Sequence, residues 1–414
     1  MPLFAPAVAR PYVFLPDGWD SAWKAARLAS GTTPAFITVL GDSCLAGGSS
    51  TAWLTKGAIA LLQQSLWSRY GRYGVYYPAT HSTSFGAALS FTPTGTMPWS
   101  FDGNFNWFQN GLTQTAFWVS AGTLVFAAAG NAVFTMPTNA GIDIPTATEI
   151  DLIMYDYASG QWQYTVDNAL GTGAVTVGPG STTLSPGGWG SVYRVPLTGL
   201  ANAAHAVRIS ASSVQYGANV CGAIVYDPTT NKASGIGVAQ MSLSGAQAFD
   251  YLVSPNGGPA DRILQYQGQY KTNSTTTVAT GFGFPAQPHL AIIELGINDC
   301  QNGVGLIQFR HSLRRTIQAL RRGRNNASIL FMISTNPDPE SSDMTGGHFL
   351  NSKNWGLYTQ EIYDVAQTYN CGVLSYQTKW GETPVAQGYI TATDAHPTDA
   401  GHAAIATDLI ALIA

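Results

Sequence analysis

Apolar residues follow two patterns near the ends of the 414-residue chain, and each pattern predicts a different element. Short uninterrupted apolar runs predict strands buried on both faces of a parallel sheet. Longer segments, with apolar residues every three or four positions, predict amphipathic helices packed on that sheet. The predicted strands are Ala35–Leu40, Gly237–Ser242, Leu290–Leu295, Ser328–Ser334 and Gly372–Tyr376. The predicted helices are Thr51–Tyr70, Ala246–Val253, Val304–Arg322, Trp355–Tyr369 and Ala400–Ala414.

Between residues 85 and 232 the pattern changes to short alternating segments bounded by Gly, Pro, Asn, Asp or Ser. Segments of this length and spacing predict an antiparallel β-sandwich or jelly roll. The segments are Ala132–Met136, Glu149–Tyr157, Trp162–Val166, Ser191–Leu197, Ala206–Ser212 and Val220–Tyr226.

Helix–strand alternation resumes at residue 233, so the β-rich block interrupts one domain rather than following it. We predict a doubly wound α/β domain with a parallel sheet, built from residues 34–84 and 233–414. Residues 85–232 form the inserted β-sandwich, and residues 1–33 form an arm with a short helix around Trp19–Ala29. The chain is long enough for two separate cores.

Composition indicates where the protein is located and which classes of partner it does not need. Only 10% of residues are charged, 45 are glycine and the formal net charge is −4. This profile is typical of β-rich extracellular or virion proteins, and it gives no reason to expect nucleic acid or an anionic membrane as partner. No apolar run is long enough to span a bilayer, and the first residues lack the features of a signal peptide. We therefore expect a secreted or phage-tail protein.

The four cysteines show neither metal-type spacing nor a dense disulfide framework, and we expect no metal and no cofactor. Cys44 and Cys300 each follow a polar motif, so a bond between them stays open at this stage. Cys221 and Cys371 lie in apolar runs and are expected to be buried thiols.

Polar motifs follow three of the predicted strands. Ser43, in Gly41-Asp-Ser43, comes after the first strand, Gly245 after the second and Asn298 after the third. Because reactive groups collect at the carboxyl ends of parallel strands, Ser43 is a candidate nucleophile, and the N–H groups and amide at the other positions are candidate oxyanion donors. Each residue also has a plain structural interpretation, as a helix cap, a helix-start glycine or a turn-forming asparagine.

His396, in a loop before the last helix, is the candidate base, since an imidazole with a pKa near 6.5 can accept and return a proton. Together the motifs resemble the four blocks of the SGNH (GDSL-type) hydrolase family. The resemblance covers residues 34–84 and 233–414. It implies a flavodoxin-like fold, no metal, and ester hydrolysis, often of an acetyl group on a sugar, with Ser43, Gly245 and Asn298 forming the oxyanion hole.

The last block departs from the family pattern. The family has an aspartate three residues before the histidine, where this chain has Thr393, and Asp394 lies only two residues before His396. Asp394 is therefore the candidate residue that orients the imidazole, with a backbone carbonyl as the alternative. Asp399 and His402 have the usual spacing, but Gly401-His402 resembles a structural Gly-His of the family, and His396 is preferred as the base.

The inserted block is rich in aromatic residues, whose flat faces suit the apolar face of a sugar ring. Most are expected to fill the sandwich core. Trp99 and Trp107, in a stretch rich in Gly and Asn, are the candidates for an exposed sugar-binding platform.

Two functions are compatible with these features. The first is a serine esterase or deacetylase that acts on acetylated bacterial cell-surface polysaccharide. The second is a non-catalytic structural or receptor-binding phage-tail protein that retains the scaffold, and in that case other virion proteins are partners. Assembly into a homo-oligomer stays open in both cases.

Overall fold

The computed structural model describes the chain in segments that include most of the residues of the predicted α/β elements. The described residues are 10–48, 50–78, 99–101, 105–107, 124–126, 130–137, 143–155, 162–168, 173–177, 192–211, 219–242, 245–251, 269–272, 275–278, 288–323, 326–335, 352–381, 384–391 and 394–414. Among them, no helix is both long and apolar enough to cross a membrane.

The α/β part is a parallel sheet with helices on both faces. Its six parallel strands are β2 (Ala35–Gly41), β3 (Arg72–Pro78), β14 (Ile236–Gln240), β17 (Leu290–Glu294), β18 (Ser328–Ile333) and β19 (Gly372–Ser375). The helices are α1 (Ser21–Ala29), α2 (Trp53–Lys56), α3 (Ala58–Tyr70), α4 (Ile297–Gln301), α5 (Leu306–Gly323), α6 (Ser352–Thr368), α7 (Tyr376–Trp380) and α8 (Asp399–Ile413).

Strand order places a crevice beside the first long strand. The parallel strands lie in the order β19-β18-β17-β2-β14-β3. From β2 the chain crosses over towards β3, whereas from β17 it crosses over the other way, towards β18. Ligands of open α/β sheets bind at such a switch point, outside the carboxyl ends of the strands. The expected site is therefore at the ends of β2 and β17.

The arm before α1 adds an edge strand to this sheet. β1 (Val13–Phe14) pairs antiparallel with β19, with Val13 opposite Leu374 and Phe14 opposite Val373. α1 lies close to the helix predicted for this region, and its buried Trp23 donates its indole N–H to the Ile413 carbonyl at 2.8 Å. The arm is thus attached to the α/β part rather than separate from it.

The inserted strands continue the same sheet. β13 (Asn219–Tyr226) pairs antiparallel with β3, then β8 (Ala147–Tyr155) pairs with β13 and β11 (Val192–Ala203) with β8. A separate antiparallel sheet has the order β10-β9-β12-β7-β4. Its strands are β4 (Trp99–Phe101), β7 (Gly130–Thr135), β9 (Trp162–Val166), β10 (Val175–Val177) and β12 (Ala206–Ala211). The remaining strands are β5 (Phe105–Trp107), β6 (Leu124–Phe126), β15 (Gln269–Thr272), β16 (Thr275–Val278), β20 (Ile390–Thr391) and β21 (Asp394–Pro397).

The two sheets of the inserted block face each other across apolar side chains. The Phe134 ring of β7 lies 5.6 Å from that of Tyr77 in β3, and both belong to one buried cluster that also includes Leu62 of α3 and Leu409 of α8. Although the chain is long enough for two separate cores, this cluster contains residues of both parts. Because one face of the large sheet is continuous, the insertion and the α/β part share their core. A second cluster on the opposite face contains Phe309 and Trp355 of α5 and α6.

Trp99 corrects one of the predictions for the inserted block. Its side chain is 1% exposed, its ring lies 5.1 Å from Phe134, and its indole N–H donates to the Tyr77 carbonyl at 3.2 Å. Trp99 thus joins the two sheets, and the expectation that it is an exposed platform is wrong. Trp107 ends β5, and its side chain lies outside the described residues.

Two predicted helices also differ from the structure. The segment predicted as Thr51–Tyr70 divides into α2 and α3 at Gly57, whose backbone is extended with φ −58° and ψ 149°. In place of a helix at Ala246–Val253, the described residues contain a 3₁₀ turn, Ala248–Tyr251. Side chains of the neighbouring loops hold the backbone of this turn, as described below.

Candidate active site

Three loops carry the polar motifs to one edge of the sheet. β2 ends at Gly41, β14 at Gln240 and β17 at Glu294, and β2 lies between the other two. Gly41 is opposite Glu294 in the parallel register. Since parallel strands all point the same way, the loops carrying Ser43, Gly245 and Asn298 leave the sheet side by side.

Ser43 and His396 are in direct contact. His396 Nε2 lies 2.6 Å from Ser43 Oγ, although the residues are 353 positions apart in the chain. His396 lies in β21, which forms a two-stranded ribbon with β20 immediately before α8. Ser43 is 8% exposed and His396 is partly buried, so the pair is largely shielded from solvent. This is the arrangement in which an imidazole can take the hydroxyl proton.

The surroundings of Ser43 differ from the expectation in one respect. Residues 43–48 form turns, and the first helix after them begins at Trp53. Ser43 is therefore not at the N-terminus of the helix that follows it in the chain. The turns are closed by the Gly48 N–H, which donates to the Ser43 carbonyl at 2.8 Å.

Gly245 and Asn298 lie on the loops either side of Ser43. Gly245 is exposed and has φ +75°, in the left-handed region that favours glycine, and a β-carbon there would meet no atom within 4 Å. Asn298 Nδ2 lies 3.1 Å from Asp42 Oδ2 and 3.2 Å from the Ala246 carbonyl. Both hydrogens of the amide therefore have acceptors in the free protein, and one of these bonds links the Asn298 loop to the Gly245 loop.

Buried side chains hold the Gly245 loop in place. The Ala248 N–H donates to the Asp299 carboxylate, at 3.0 Å from Oδ2 and 3.2 Å from Oδ1. The buried Tyr251 hydroxyl accepts from the Gly41 N–H at 3.3 Å and lies 2.7 Å from the Gly41 carbonyl and 3.0 Å from the Met241 carbonyl. One phenol thus joins the ends of β2 and β14, and these bonds explain why residues 246–251 do not form a regular helix.

We expect Tyr251→Phe to lower the free energy of unfolding by about 1–3 kcal/mol, because buried backbone groups of Gly41 and Met241 lose their partner. Urea denaturation measures this loss. Tyr70→Phe is the control, since the partly buried Tyr70 hydroxyl donates to the Ala414 carbonyl at 3.0 Å. Its expected loss is smaller. Equal losses for the two variants would contradict the role assigned to the Tyr251 hydroxyl.

A buried pair of carboxyl groups lies beneath the nucleophile loop. Asp42 and Glu294 are hydrogen-bonded to each other and almost fully shielded from solvent. Burial, and then the charge of Asp42, raise the pKa of Glu294 well above its usual range. Asp42 accepts from the Cys44 N–H at 2.8 Å and from the Asn298 amide, so it has more compensation for a negative charge. Because two adjacent buried carboxyls do not both ionise, Glu294 holds the shared proton.

The same pair contributes to the one cluster of possible metal ligands among the described residues. Asp42, Cys44 and Glu294 offer ligand atoms that all lie within 4.8 Å of one another. Both Asp42 oxygens already accept hydrogen bonds from the protein, and Glu294 is hydrogen-bonded to Asp42. We interpret the cluster as a proton-sharing pair that fixes the Asn298 amide.

The cysteines near the site are free thiols. Cys44 and Cys300 are both buried and unbonded to each other, and Cys371 is likewise buried and free. Burial and the nearby Asp299 raise the pKa of Cys300 to about 11, so its thiol is protonated at neutral pH. The pairing left open by the sequence is not formed.

The alternative histidine is occupied elsewhere. His402 is fully buried, with Nε2 3.1 Å from the Gly48 carbonyl and Nδ1 3.4 Å from the Ala58 N–H. Asp394 lies in β21 with its backbone opposite Thr391, and its side chain lies outside the described residues. Its role towards His396 stays a prediction.

Sequence reasoning missed three residues of the site. Glu294 had a visible signal, because it is an acidic residue that ends the otherwise apolar run Leu290–Glu294. Gly48 had a weaker one, in the Gly-Gly pair after Ser43. Tyr251 had none, since its contacts depend on how the Gly245 loop turns back over β2.

Comparisons with known proteins find a similar family in sequence and a similar fold in structure. Residues 238–404 match the model of the GDSL-like lipase/acylhydrolase family. A solved peptidoglycan O-acetylesterase is similar over 97% of this chain and 98% of its own, with 17% identity and a TM-score of 0.61. At that identity the similarity concerns the fold, and it extends through the inserted strands. A family two carbohydrate esterase from Clostridium thermocellum covers 76% of this chain and 98% of its own at 15% identity, but its TM-score of 0.29 carries no weight.

A search of curated protein sequences finds no match. The family-model match covers three of the four motifs, those of Gly245, Asn298 and His396, and the fold similarity covers 97% of the chain. Residues 238–404 are therefore similar in sequence to the GDSL-like lipase/acylhydrolase family, and the chain is similar in fold to a solved peptidoglycan O-acetylesterase.

Proposed function

We propose that the protein is a serine esterase that removes acetyl groups from cell-surface polysaccharide. The observation that carries the proposal is the 2.6 Å contact between Ser43 Oγ and His396 Nε2 at the crevice of the sheet. Such a contact activates a hydroxyl that is otherwise a weak nucleophile at neutral pH.

In the first half of the reaction, Ser43 Oγ attacks the acetyl carbonyl while His396 Nε2 takes the hydroxyl proton. The tetrahedral intermediate then collapses. The bond to the sugar oxygen breaks, that oxygen takes the proton from His396, and Ser43 keeps the acetyl group. The free sugar hydroxyl leaves.

In the second half, water takes the place of the sugar hydroxyl. His396 accepts a proton from the water as its oxygen attacks the acetyl-Ser43 carbonyl. When the new intermediate collapses, the bond to Ser43 Oγ breaks and His396 returns the proton to that oxygen. Acetic acid is released and loses its proton to the solvent, and the free serine and the neutral imidazole are restored.

The oxyanion of both intermediates is assigned to the backbone N–H groups of Ser43 and Gly245 and to the Asn298 amide. Asn298 keeps its bond to Asp42 and exchanges the longer one, to the Ala246 carbonyl, for the oxyanion. Each such donor lowers a barrier by about 3 kcal/mol. Asp394 is proposed to orient the imidazole from the β20–β21 ribbon.

The substrate class rests on two supports. The peptidoglycan O-acetylesterase named above has the same fold along almost its entire length. Inserted strands β13, β8 and β11 extend the sheet whose strand β2 leads to Ser43, so a polymer held on them stays attached near the site. Trp107 remains the proposed sugar contact. An extracellular or virion location, phage-tail partners and homo-oligomerisation remain predictions.

The alternative, a non-catalytic recognition protein on the same scaffold, is separated from the esterase by one experiment. We expect the purified protein to release p-nitrophenol from p-nitrophenyl acetate and to be labelled by a fluorophosphonate, because only an activated serine reacts with the probe. Intact-mass measurement reads the labelling and a peptide map locates it on Ser43. A folded protein that neither turns over the ester nor reacts with the probe would establish the alternative.

A further inference from the structure

We propose that Asp399 and His402 are positioning residues that hold the 48–58 segment, so that Gly48 sets the His396 ring against Ser43. Both residues belong to the first turn of α8, which begins two residues after β21, the strand that carries His396. The inference rests on the proposed roles of Ser43 and His396, and it assigns a function to the Asp399–His402 motif, which the reaction itself does not use.

Asp399 contacts the middle of the segment. Its Oδ1 accepts from the Thr51 N–H at 2.9 Å and from the Ser50 hydroxyl at 3.0 Å. Its Oδ2 accepts from the Thr51 hydroxyl at 2.5 Å and from Lys56 Nζ at 2.9 Å. Burial acts to raise the pKa of Asp399, but the bonds from Thr51 and Lys56 outweigh it and hold that pKa well below its usual value. The ionised carboxylate thus collects four donors from one short stretch of chain.

His402 contacts both ends of the segment. Its Nε2 lies 3.1 Å from the Gly48 carbonyl and its Nδ1 lies 3.4 Å from the Ala58 N–H. A carbonyl requires a donor and an N–H requires a lone pair, so the ring is neutral with its proton on Nε2. Burial lowers the pKa of His402, which favours the same neutral form.

Gly48 is the point at which the segment contacts the proposed catalytic pair. Its N–H donates to the Ser43 carbonyl at 2.8 Å. A β-carbon at Gly48 would lie 2.5 Å from His396 Cδ2 and 2.9 Å from Cγ, so the imidazole rests directly against the glycine α-carbon. The position of the Gly48 backbone therefore limits where the His396 ring lies relative to Ser43.

The contacts of α8 with the 48–58 segment and of Gly48 with His396 form one continuous chain of contacts. α8 directly follows β21, the strand that carries His396, and its residues Asp399 and His402 also hold the backbone that the imidazole touches. A displacement of about 1 Å between reacting groups can cost about 100-fold in rate. The first turn of α8 is thus placed to keep the Ser43–His396 distance short.

The test compares two aspartates of α8. Asp399→Asn removes the charge that holds the 48–58 segment. Asp408→Asn is the matched control, because Asp408 is likewise ion-paired, with Lys379, at the far end of the same helix. Hydrogen exchange of peptides covering residues 44–58 and the kcat and KM for p-nitrophenyl acetate are measured for both variants. We expect faster exchange and a roughly tenfold lower kcat at unchanged KM for Asp399→Asn, and neither change for Asp408→Asn.

His402→Gln and His402→Leu provide the second comparison. Glutamine retains a donor for the Gly48 carbonyl, so it should keep more of the kcat than leucine, which has none. Faster exchange in Asp399→Asn with an unchanged kcat would overturn the proposal, because the contacts would then be structural only. If the wild-type protein has no activity and takes no probe, the proposed function fails instead. The ¹⁵N NMR shift of His396 Nε2 then decides, since an unchanged shift in Asp399→Asn overturns the positioning role as well.

Discussion

Ser43→Ala is expected to lower kcat for p-nitrophenyl acetate by on the order of 10⁴-fold or more while leaving the fold intact. The hydroxyl is the only group of the proposed site that forms a bond to the acyl carbon, so its loss removes the covalent route altogether. The unfolding midpoint should change little, because only one oxygen atom is removed from a site at the edge of the sheet.

Three further measurements make this result specific. Ser68→Ala, which removes an exposed hydroxyl on α3, should retain wild-type activity. Combining Ser43→Ala with His396→Ala should cost no more than Ser43→Ala alone, since residues that act as a unit are not additive. Rapid quenching of the wild-type reaction should give a protein heavier by one acetyl group, and the serine variant should not. Full activity in Ser43→Ala would end the assignment.

Glu294→Gln is expected to remove a pH dependence from the stability of the protein. Burial and the charge of Asp42 raise the pKa of Glu294 in the folded state, whereas the unfolded value is about 4.3. The folded state therefore keeps a proton that the unfolded state has lost. Stability from this proton is fully present below the unfolded pKa and falls as the pH rises towards the folded pKa, by up to about 1.4 kcal/mol per pH unit. Glutamine donates to Asp42 in the same way but has no proton to lose.

Urea denaturation of both proteins between pH 5 and pH 9 measures the effect. The difference between the two curves isolates Glu294, because Asp42, Cys44 and His396, the titratable groups nearest to it, are present in both. Glu294→Leu adds a second comparison. It removes the donor as well, leaves Asp42 with one hydrogen bond fewer, and should be less stable by about 2 kcal/mol. Parallel curves for wild type and Glu294→Gln would show that Glu294 is not the proton holder.

The sequence predicted the elements that backbone patterning controls. The apolar runs that became β2 and β17 end in polar loops, and that was enough to place Ser43 and Asn298 at one edge of a parallel sheet. The contact between Ser43 and His396 was expected on the motifs alone, and its catalytic role stays a prediction. Most ends of the alternating segments predicted in the inserted block also lie within one or two residues of the ends of observed strands, such as β9 and β13.

The features that were missed depend on contacts between distant segments. The Ala246–Val253 prediction used local spacing, but Asp299 and Tyr251 form side-chain bonds with backbone groups of that loop and of its neighbours. Trp99 lies in a stretch without clear alternation, and only the pairing of β4 with β7 shows that it faces Phe134. The shared proton of Asp42 and Glu294 requires two neighbouring strands to end at the same level, which no local pattern indicates.

The place where the inserted strands pair with the parallel sheet bears on where such a fold can accept an insertion. The junction is at β3, and β14 separates it from the strand that leads to Ser43. Without β13, the outer side of β3 would present unpaired amides and carbonyls, a surface prone to sticking to other chains. An insertion at this edge therefore covers the exposed backbone of β3, and it leaves the spacing of the reactive groups unchanged.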